Sequence, residues 1–243
     1  LVYKKGIDLK NSPLLIYGYG SYGAIIDAAF RTSIIPLLDR GFIFAIAHIR
    51  GGSEMGRKWY DDGKMLRKMN TFFDFIDVTK SLTNLNYGNK EQLFAMGGSA
   101  GGLLMGAVIN LEPELYKGII SAVPFVDVLT TMSDESIPLT TFEYKEWGNP
   151  ANEEEYNYIK QYSPYDNIKP SNYPSVLVTS SLHDSQVQYY EPAKYVPKLR
   201  ENSTSDNPVL LKMNLIGGHA GKSGRLNSLE ESSFDNSFLL CLL

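Results

Sequence analysis

The stretch "LFAMGGSAGGLLMGAVI" (93–109) decides the fold. Its first four residues form an apolar run, its last seven form a second one, and the turn between them contains a serine among four glycines. This turn matches the pattern Gly-x-Ser-x-Gly at 97–101. A serine on a sharp turn between a buried strand and a helix is the arrangement of a nucleophile elbow. A glycine-rich packing turn is the alternative, and the two flanking apolar runs favour the elbow.

Further apolar runs of strand length follow one another along the chain. They are continuous rather than alternating, which is typical of strands buried on both faces of a parallel sheet. Together with the run before Ser99, the predicted strands are 13–18, 42–49, 92–97, 118–125, 173–180 and 209–216.

Helical patterns separate these strands. One begins at Asn70 as a plausible N-cap and keeps an apolar face to Leu85. Others cover 100–111, 191–201 and 228–243, although Pro197 inside one of them is expected to cost about 3 kcal/mol or to kink the helix. The stretch 127–172 has no strong strand and predicts short helices. We therefore predict one α/β domain over 1–243, with a mostly parallel central sheet and helices on both faces.

Composition narrows the function classes. The 243 residues are 43% hydrophobic with a net charge of −4, and Lys and Arg are scattered, so no nucleic-acid partner is expected. No run approaches the roughly 18 apolar residues of a membrane helix, so no membrane partner is expected either. The single cysteine, Cys241, fits a reducing compartment, and we expect a cytoplasmic protein. Because the chain begins with Leu1, we expect it to be a piece of a longer protein, and we expect no cofactor or metal.

A second glycine motif follows the first predicted strand. Gly18, Gly20 and Gly23 form the pattern Gly-x-Gly-x-x-Gly, which in a dinucleotide-binding fold brings backbone amides to a pyrophosphate. That fold also needs an acidic residue at the end of the next strand, and here the strand ends in "AHIRGG". Tyrosines alternate with the glycines, so we interpret this segment as a shaped loop with another role.

A serine nucleophile needs a base, and the base needs a carboxylate that orients it. In the α/β-hydrolase arrangement the chain order is serine, acid, histidine. His219 lies after the last predicted strand, whereas His48 precedes the elbow and His183 lies directly beside an aspartate in sequence. Asp184 follows the strand before it. Because Ser99, Asp184 and His219 each follow a different strand, a parallel sheet gathers them at its carboxyl edge, and we predict them as a triad.

Hydrolysis through an acyl-enzyme also needs donors for the oxyanion. The backbone N–H of Ala100, directly after the nucleophile, is one expected donor. The loop "YGYGSYG" (17–23) follows an early strand and is expected to supply the second, for which a tyrosine hydroxyl is available.

With these residues in place, the chain resembles the catalytic domain of the prolyl oligopeptidase family of serine peptidases, and within it the oligopeptidase B group. The resemblance implies Ser99, Asp184 and His219 as the triad and the Tyr19 hydroxyl as the second oxyanion donor. It rests on segments spread over nearly the whole chain: "YGYGSYG", "LLDRGFIFAIAHIRGGSEMGRKWYDDGK", "MGGSAGG", "VPFVDVLTTMSDESIPLTT", "EWGNP", "YSPYDNI", "LHDSQVQYYEPAKYV" and "GGHAGKSGR".

The resemblance further implies cleavage of short peptides after Arg or Lys. The family places a pair of glutamates before "EWG" and a pair of aspartates after "YGSYG"; here the first pair is Glu143 and Lys145, and the second is Asp27 and Ala29. Each pair is half present, so we expect a basic preference that is weakened or shifted. The family also carries an N-terminal β-propeller over the active site, and we find no segment that encodes it.

Three alternatives stay open. An esterase or an exopeptidase would use the same triad, since a fold does not choose a substrate. An inactive hydrolase-like module that binds partners is the second, although all three triad residues are present. Dinucleotide binding by the glycine loop is the third.

Overall fold

A single parallel sheet organises the molecule. The computed structural model describes the backbone of residues 1–243 and every side chain except that of Arg225, and across this part six strands form one sheet in the order β2-β1-β3-β4-β5-β6. Every neighbouring pair is parallel. The strands are β1 Leu14–Tyr17, β2 Ile43–Ile46, β3 Leu93–Gly98, β4 Gly118–Ala122, β5 Ser175–Ser181 and β6 Val209–Asn214.

Helices connect consecutive strands, as the apolar periodicity predicts. The helix after the serine spans the predicted residues, and three short helices occupy the segment predicted to lack a strand. The described helices are α1 Ile35–Leu38, α2 Arg57–Asp61, α3 Met69–Asn84, α4 Ala100–Leu111, α5 Val128–Ser133, α6 Thr140–Trp147, α7 Glu153–Tyr162, α8 Tyr190–Asn202 and α9 Arg225–Cys241.

Both faces of the inner strands are buried, which explains their continuous apolar runs, whereas the edge strand β6 buries only Val209. In β1, Leu14 and Ile16 belong to the large core with α3 and α4, whereas Leu15 between them belongs to a smaller core on the opposite face. That smaller core includes Leu37 of α1 and Phe238 of α9. Since successive side chains of a strand point to opposite faces, a strand between two cores must be apolar at every position. The predicted α/β-hydrolase architecture with helices on both faces is confirmed.

Three local expectations are wrong, and one of them is that the strand predicted at 118–125 extends beyond Ala122, where β4 ends. Asn70 is not the N-cap of α3, because the helix already begins at Met69 and the Asn70 amide donates to the Asp62 carbonyl at 2.9 Å. The strand predicted at 42–49 ends at Ile46, since the chain leaves the sheet there while Ala47 and Ile49 stay buried. Burial outside a strand produces the same apolar signal as burial within it.

Pro197 lies inside α8 without ending it. Its ring is exposed. On that face of the helix, water can bond the carbonyl that lacks a backbone N–H partner, which lowers the cost of an internal proline.

Candidate active site

Ser99 occupies a strained turn between β3 and α4. Its φ of 57° and ψ of −119° are rarely adopted by a residue with a side chain. The surrounding bonds fix this conformation: the Ser99 amide donates to the Ala122 carbonyl at 2.8 Å, and the Ser99 carbonyl accepts from the Gly102 and Phe125 amides at 2.8 and 3.2 Å. Strain of this kind persists only where the structure over-determines it and is concentrated at functional sites.

The glycines beside Ser99 are required by close backbone contacts. A Cβ on Gly97 would lie 2.4 Å from the Gly101 carbonyl oxygen, and one on Gly101 would lie 2.7 Å from the Gly18 carbonyl oxygen. The elbow therefore lies directly against the loop 18–23. The predicted strand, turn and helix are all present, and the turn exposes the serine at the carboxyl edge of the sheet.

Ser99 lines a cavity of about 240 Å³. The cavity lies between the elbow, the loop 18–23 and helices α5 and α6, so the short helices of the excursion form its wall. Its other lining residues are Tyr19, Tyr22, Ala100, Phe125, Thr131, Met132, Ile137, Leu139, Thr140, Glu143, Trp147, Gln186 and Val187.

Two hydrogen-bond donors face this cavity near Ser99. Ala100 is the first residue of α4, where backbone N–H groups have no intrahelical acceptor. The Tyr19 side chain lies against that of Ser99. Burial raises the pKa of Tyr19 to about 12, with smaller contributions from Glu143 and Glu146, while its contact with Ser99 lowers it. The phenol is therefore protonated at neutral pH and available as a donor, and the oxyanion roles of Tyr19 and Ala100 stay predictions.

Asp184 and His219 form a hydrogen-bonded pair. His219 Nδ1 lies 2.7 Å from Asp184 Oδ2 and 2.9 Å from Oδ1. The Asp184 side chain is fully buried, and its Oδ1 also accepts from the amides of Gln186 and Val187, each at 2.9 Å. Burial raises the pKa of Asp184, but the bonds from His219 and the two amides outweigh it, so the pKa lies below its usual value. An ionised carboxylate at Nδ1 leaves Nε2 as the nitrogen that can accept a proton.

The base and the serine occupy adjoining parts of the same edge. Within the described residues, Ser99 Oγ forms no hydrogen bond to His219. His219 lines a second cavity of about 490 Å³, which also includes Ala122 and Val123. Two residues connect the cavities. Ala122, whose carbonyl accepts from the Ser99 amide, lines the His219 cavity. Gln186, whose amide donates to Asp184, lines the Ser99 cavity. The structure thus brings Asp184 and His219 together, while His219 and Ser99 are not hydrogen-bonded to each other.

Glu143 lies in the wall of the Ser99 cavity. Its Oε2 accepts from the Tyr22 hydroxyl at 2.6 Å and from Trp147 Nε1 at 2.8 Å. Both bonds go to one oxygen, which leaves Oε1 for a bound cation. Lys145, two residues further along α6, is exposed and is not part of the cavity lining. The expected carboxylate is present, and the lysine that would oppose a cation points elsewhere.

The other candidates lie apart from this cavity. Asp27 is exposed and does not line it, so the structure does not bring Asp27 to Ser99. His48 is exposed, and its Nε2 lies 2.9 Å from the Ile26 carbonyl oxygen. His183 is also exposed.

The loop 18–23 does not resemble a phosphate cradle. A phosphate-binding loop leads into a helix N-terminus, but the next described α-helix begins only at Ile35. A Cβ on Gly18 would lie 2.6 Å from the Phe75 ring, so this glycine permits close packing. The loop directs Tyr19 to Ser99, and the dinucleotide alternative gains no support.

Two buried charged residues under this loop, Lys68 and Glu146, have no signal in the sequence. Lys68 is 1% exposed and Glu146 is 4% exposed. Lys68 Nζ donates to the Gly20 carbonyl at 2.6 Å and to Ser21 Oγ at 2.8 Å, and Glu146 accepts from the Tyr22 amide at 2.8 Å. Lys68 directly precedes α3 and Glu146 lies in α6. A lysine and a glutamate in such positions look like ordinary solvated residues in sequence, and no local pattern distinguishes them.

Comparison with known proteins supports a peptidase. Residues 28–242 match the prolyl oligopeptidase family. The chain is 55% identical over 241 residues, 99% of its length, to a dipeptidyl aminopeptidase BI of Pseudoxanthomonas mexicana, and covers 33% of that protein. It is 52% identical over 240 residues, 98% of its length, to a protease 2 of Moraxella lacunata, and covers 35% of it.

Solved structures agree with the fold. Oligopeptidase B from Leishmania major superposes with a TM-score of 0.97 at 49% identity, covering 99% of this chain and 34% of that one. Oligopeptidase B from Trypanosoma brucei with covalently bound antipain gives a TM-score of 0.95 at 49% identity, covering 98% of this chain and 34% of that one. The chain thus spans about a third of the length of these relatives. No helix in the part that the structure describes combines the length and apolar character needed to cross a membrane.

Proposed function

Because this chain belongs to the prolyl oligopeptidase family of serine peptidases, we propose that it is the catalytic domain of an oligopeptidase, with Ser99 as nucleophile. The observation that supports this most directly is the strained position of Ser99 in a cavity that also presents Tyr19 and the first turn of α4. The domain covers 1–243, and an N-terminal β-propeller, the part that the resemblance adds, is proposed as its partner in the longer protein. We propose a cytoplasmic location on the basis of the single cysteine.

The mechanism follows from the triad. His219 Nε2 takes the Ser99 hydroxyl proton while Oγ forms a bond to the substrate carbonyl carbon. The Tyr19 hydroxyl and the Ala100 amide donate to the oxyanion, and Asp184 stabilises the imidazolium. His219 then gives its proton to the leaving amine as the C–N bond breaks, which leaves an acyl-enzyme.

Water completes the cycle by the same groups. His219 removes one proton from the water as its oxygen attacks the acyl carbon. The tetrahedral intermediate collapses, the Ser99 oxygen leaves with the proton from His219, and the carboxylic acid product departs. The loop that carries His219 must bring Nε2 to Ser99 for each proton transfer, since that contact is open in the structure.

We propose a preference for Arg or Lys on the acyl side of the cleaved bond. Glu143 Oε1 is the free carboxylate oxygen of the cavity wall, and an ammonium or guanidinium is its natural partner. Substrates are then short basic peptides. Asp27 was expected to contribute to basic binding as well, and it lies outside the cavity, so in this chain Glu143 carries the preference.

An exopeptidase is the second candidate, because one relative is named a dipeptidyl aminopeptidase. The two activities differ in whether they require a free amino terminus. They are separated by paired substrates that carry the same Arg-Arg sequence and the same chromogenic leaving group, one with a free and one with a blocked amino terminus.

The test combines labelling and turnover. A fluorophosphonate probe is expected to label the protein and not its Ser99→Ala variant, and the blocked Arg-Arg substrate is expected to be cleaved. Cleavage of the free form alone would support the exopeptidase, and turnover of a short-chain ester alone would support an esterase. A folded sample without labelling would refute the peptidase proposal and support a binding module.

A further inference from the structure

Lys68 places a buried ammonium group beneath the loop that carries Tyr19. Its side chain is 1% exposed, and Nζ donates to the Gly20 carbonyl oxygen at 2.6 Å and to Ser21 Oγ at 2.8 Å. These two acceptors directly follow Tyr19 in sequence. The reaction sequence above does not use Lys68, although the lysine lies one loop away from the oxyanion site.

The rest of the loop is anchored on either side of these bonds. The Gly18 amide donates to the Met96 carbonyl at 3.2 Å, and the Gly23 amide donates to the Gly51 carbonyl at 2.9 Å. Between those ends Gly20 has a φ of +68°, and a Cβ there would lie 2.5 Å from Thr71 Cγ2. The backbone after Tyr19 thus turns tightly inward, and Lys68 is the donor that meets it there.

Glu146 balances the buried charge. Its carboxylate is 4% exposed and accepts from the Tyr22 amide at 2.8 Å and from the Tyr60 hydroxyl at 2.7 Å. The Trp147 ring centroid lies 5.0 Å from Lys68 Nζ. Burial lowers the pKa of Lys68 to about 8, and Glu146 acts in the opposite direction.

The Lys68 ammonium contributes to stability as well as to the loop. Removing one member of a buried, charge-compensated pair is destabilising because the other charge is left uncompensated, and Lys68→Met would leave Glu146 in that position. A methionine would fill the space beside Trp147 but would leave the Gly20 carbonyl and Ser21 Oγ without their donor. What only the ammonium group supplies is a directed donor to two loop oxygens. The ammonium group therefore fixes the conformation of the loop in addition to balancing Glu146, and a readout tied to Tyr19 separates the two effects.

We propose that Lys68 is a positioning residue that holds the Tyr19 hydroxyl at the oxyanion site through its bonds to Gly20 and Ser21. The inference rests on the proposed function, since it concerns the second oxyanion donor. Lys68 acts on the reaction through Tyr19 and does not touch the substrate. Loss of the ammonium frees the loop, and the Tyr19 hydroxyl then spends part of its time away from the oxyanion.

A double-mutant cycle tests this dependence. Lys68→Met is expected to lower kcat for the blocked Arg-Arg substrate at least tenfold, with a smaller change in KM, while in a Tyr19→Phe background the same substitution changes kcat less than twofold. A peptide aldehyde, which forms a tetrahedral adduct with an oxyanion, should lose affinity in proportion to kcat, while a product peptide keeps its affinity. Lys80→Met is the matched control. Lys80 lies on α3, the helix that begins directly after Lys68. It is about half exposed and bonds Glu112 at 2.7 Å, and its replacement should leave kcat unchanged.

Each outcome decides the matter. An equal loss of kcat in the Tyr19 and Tyr19→Phe backgrounds, or no loss in either, overturns the positioning role. If Lys68→Met does not fold, Ser21→Ala is used instead, because it removes one of the two acceptors of Lys68. We then expect a two- to fivefold fall in kcat in the Tyr19 background and no fall in the Tyr19→Phe background. A fall of kcat in both backgrounds, or in neither, overturns the inference. Absence of fluorophosphonate labelling in the wild-type protein would refute the proposed function, and this inference with it, whereas an active wild type with additive losses would refute the inference alone.

Discussion

Replacement of Glu143 by glutamine tests the proposed basic preference, because it changes the charge of the cavity wall with almost no change in shape. In the structure, one carboxylate oxygen accepts from both the Tyr22 hydroxyl and Trp147 Nε1. Both neighbours are donors, so the amide oxygen of a glutamine must take the Oε2 position. The NH₂ group is then directed to the Oε1 position, where it faces the substrate cation with another donor.

The expected loss follows from this geometry. A hydrogen bond to a charged group contributes about 1.5–3 kcal/mol, and each 1.4 kcal/mol corresponds to about a tenfold change in an equilibrium or rate. Since Glu143→Gln removes the bond and also turns a donor toward the cation, we expect the upper part of the range, about a 100-fold fall in kcat/KM for an Arg-terminated substrate. Turnover of a neutral short-chain ester, which places no cation in the cavity, should change less than about threefold.

The assay compares the two substrates in parallel across three variants. Asp27→Asn and Lys145→Gln are the matched controls, because each changes one charge on a residue that is exposed and outside the cavity. Both should keep the wild-type ratio of Arg-peptide to ester turnover. Equal losses for peptide and ester in Glu143→Gln would mean that Glu143 supports the structure of the cavity and does not select its substrate. A larger effect from Asp27→Asn would move the selectivity to the loop after "YGSYG".

Further expected outcomes concern the supports of the site. Gly97→Ala would place a Cβ 2.4 Å from the Gly101 carbonyl oxygen, so we expect a loss of about 1–3 kcal/mol in a thermal melt together with loss of fluorophosphonate labelling. Glu231 accepts from the Lys222 amide at 3.2 Å beside the His219 loop; Glu231→Ala should lower kcat/KM about two- to tenfold, the value of one hydrogen bond, with the melting temperature unchanged. Burial raises the pKa of Glu191 from 4.5 to about 7. Between these two pH values the folded protein binds a proton that the unfolded chain has lost, so the free energy of unfolding should fall by up to about 3 kcal/mol as pH rises from about 4.5 to 7. Chemical denaturation at several pH values measures this fall, which should vanish in Glu191→Gln.

The sequence predicted the elements whose signals are local. Strands between the two cores contain runs of successive apolar residues, and the edge strand β6 begins with such a run as well, so six strands were found. The glycines around Ser99 identify the turn, because a side chain at Gly97 or Gly101 would collide with backbone. The candidate triad could be assembled because order along the chain and position after a strand are both visible in sequence. What these patterns cannot give is the Ser99 to His219 contact, which depends on the conformation of a loop.

The errors have a different physical origin. The end of the strand after Phe42 was placed too late because Ala47 and Ile49 are buried without being in a strand. Asp27 follows the right loop but points to solvent, and the direction of an exposed side chain has no sequence signature. Lys68 and Glu146 were missed for the opposite reason: charged residues are usually solvated, and only the tertiary structure shows these two buried beneath one loop.

Backbone strain links the fold to the proposed chemistry. Ser99, Tyr22 and Val123 all have positive φ, at 57°, 59° and 39°, and all three line one of the two cavities at the carboxyl edge of the sheet. Such conformations cost about 1–3 kcal/mol each, and each is held by a bond from its own amide: to Ala122, to Glu146 and to Thr179. The cost is met by interactions formed on folding, before any substrate arrives. The conformations of Ser99, of Tyr22 in the loop 18–23 and of Val123 are therefore fixed on folding, and the proposed mechanism adds only the approach of His219 to Ser99.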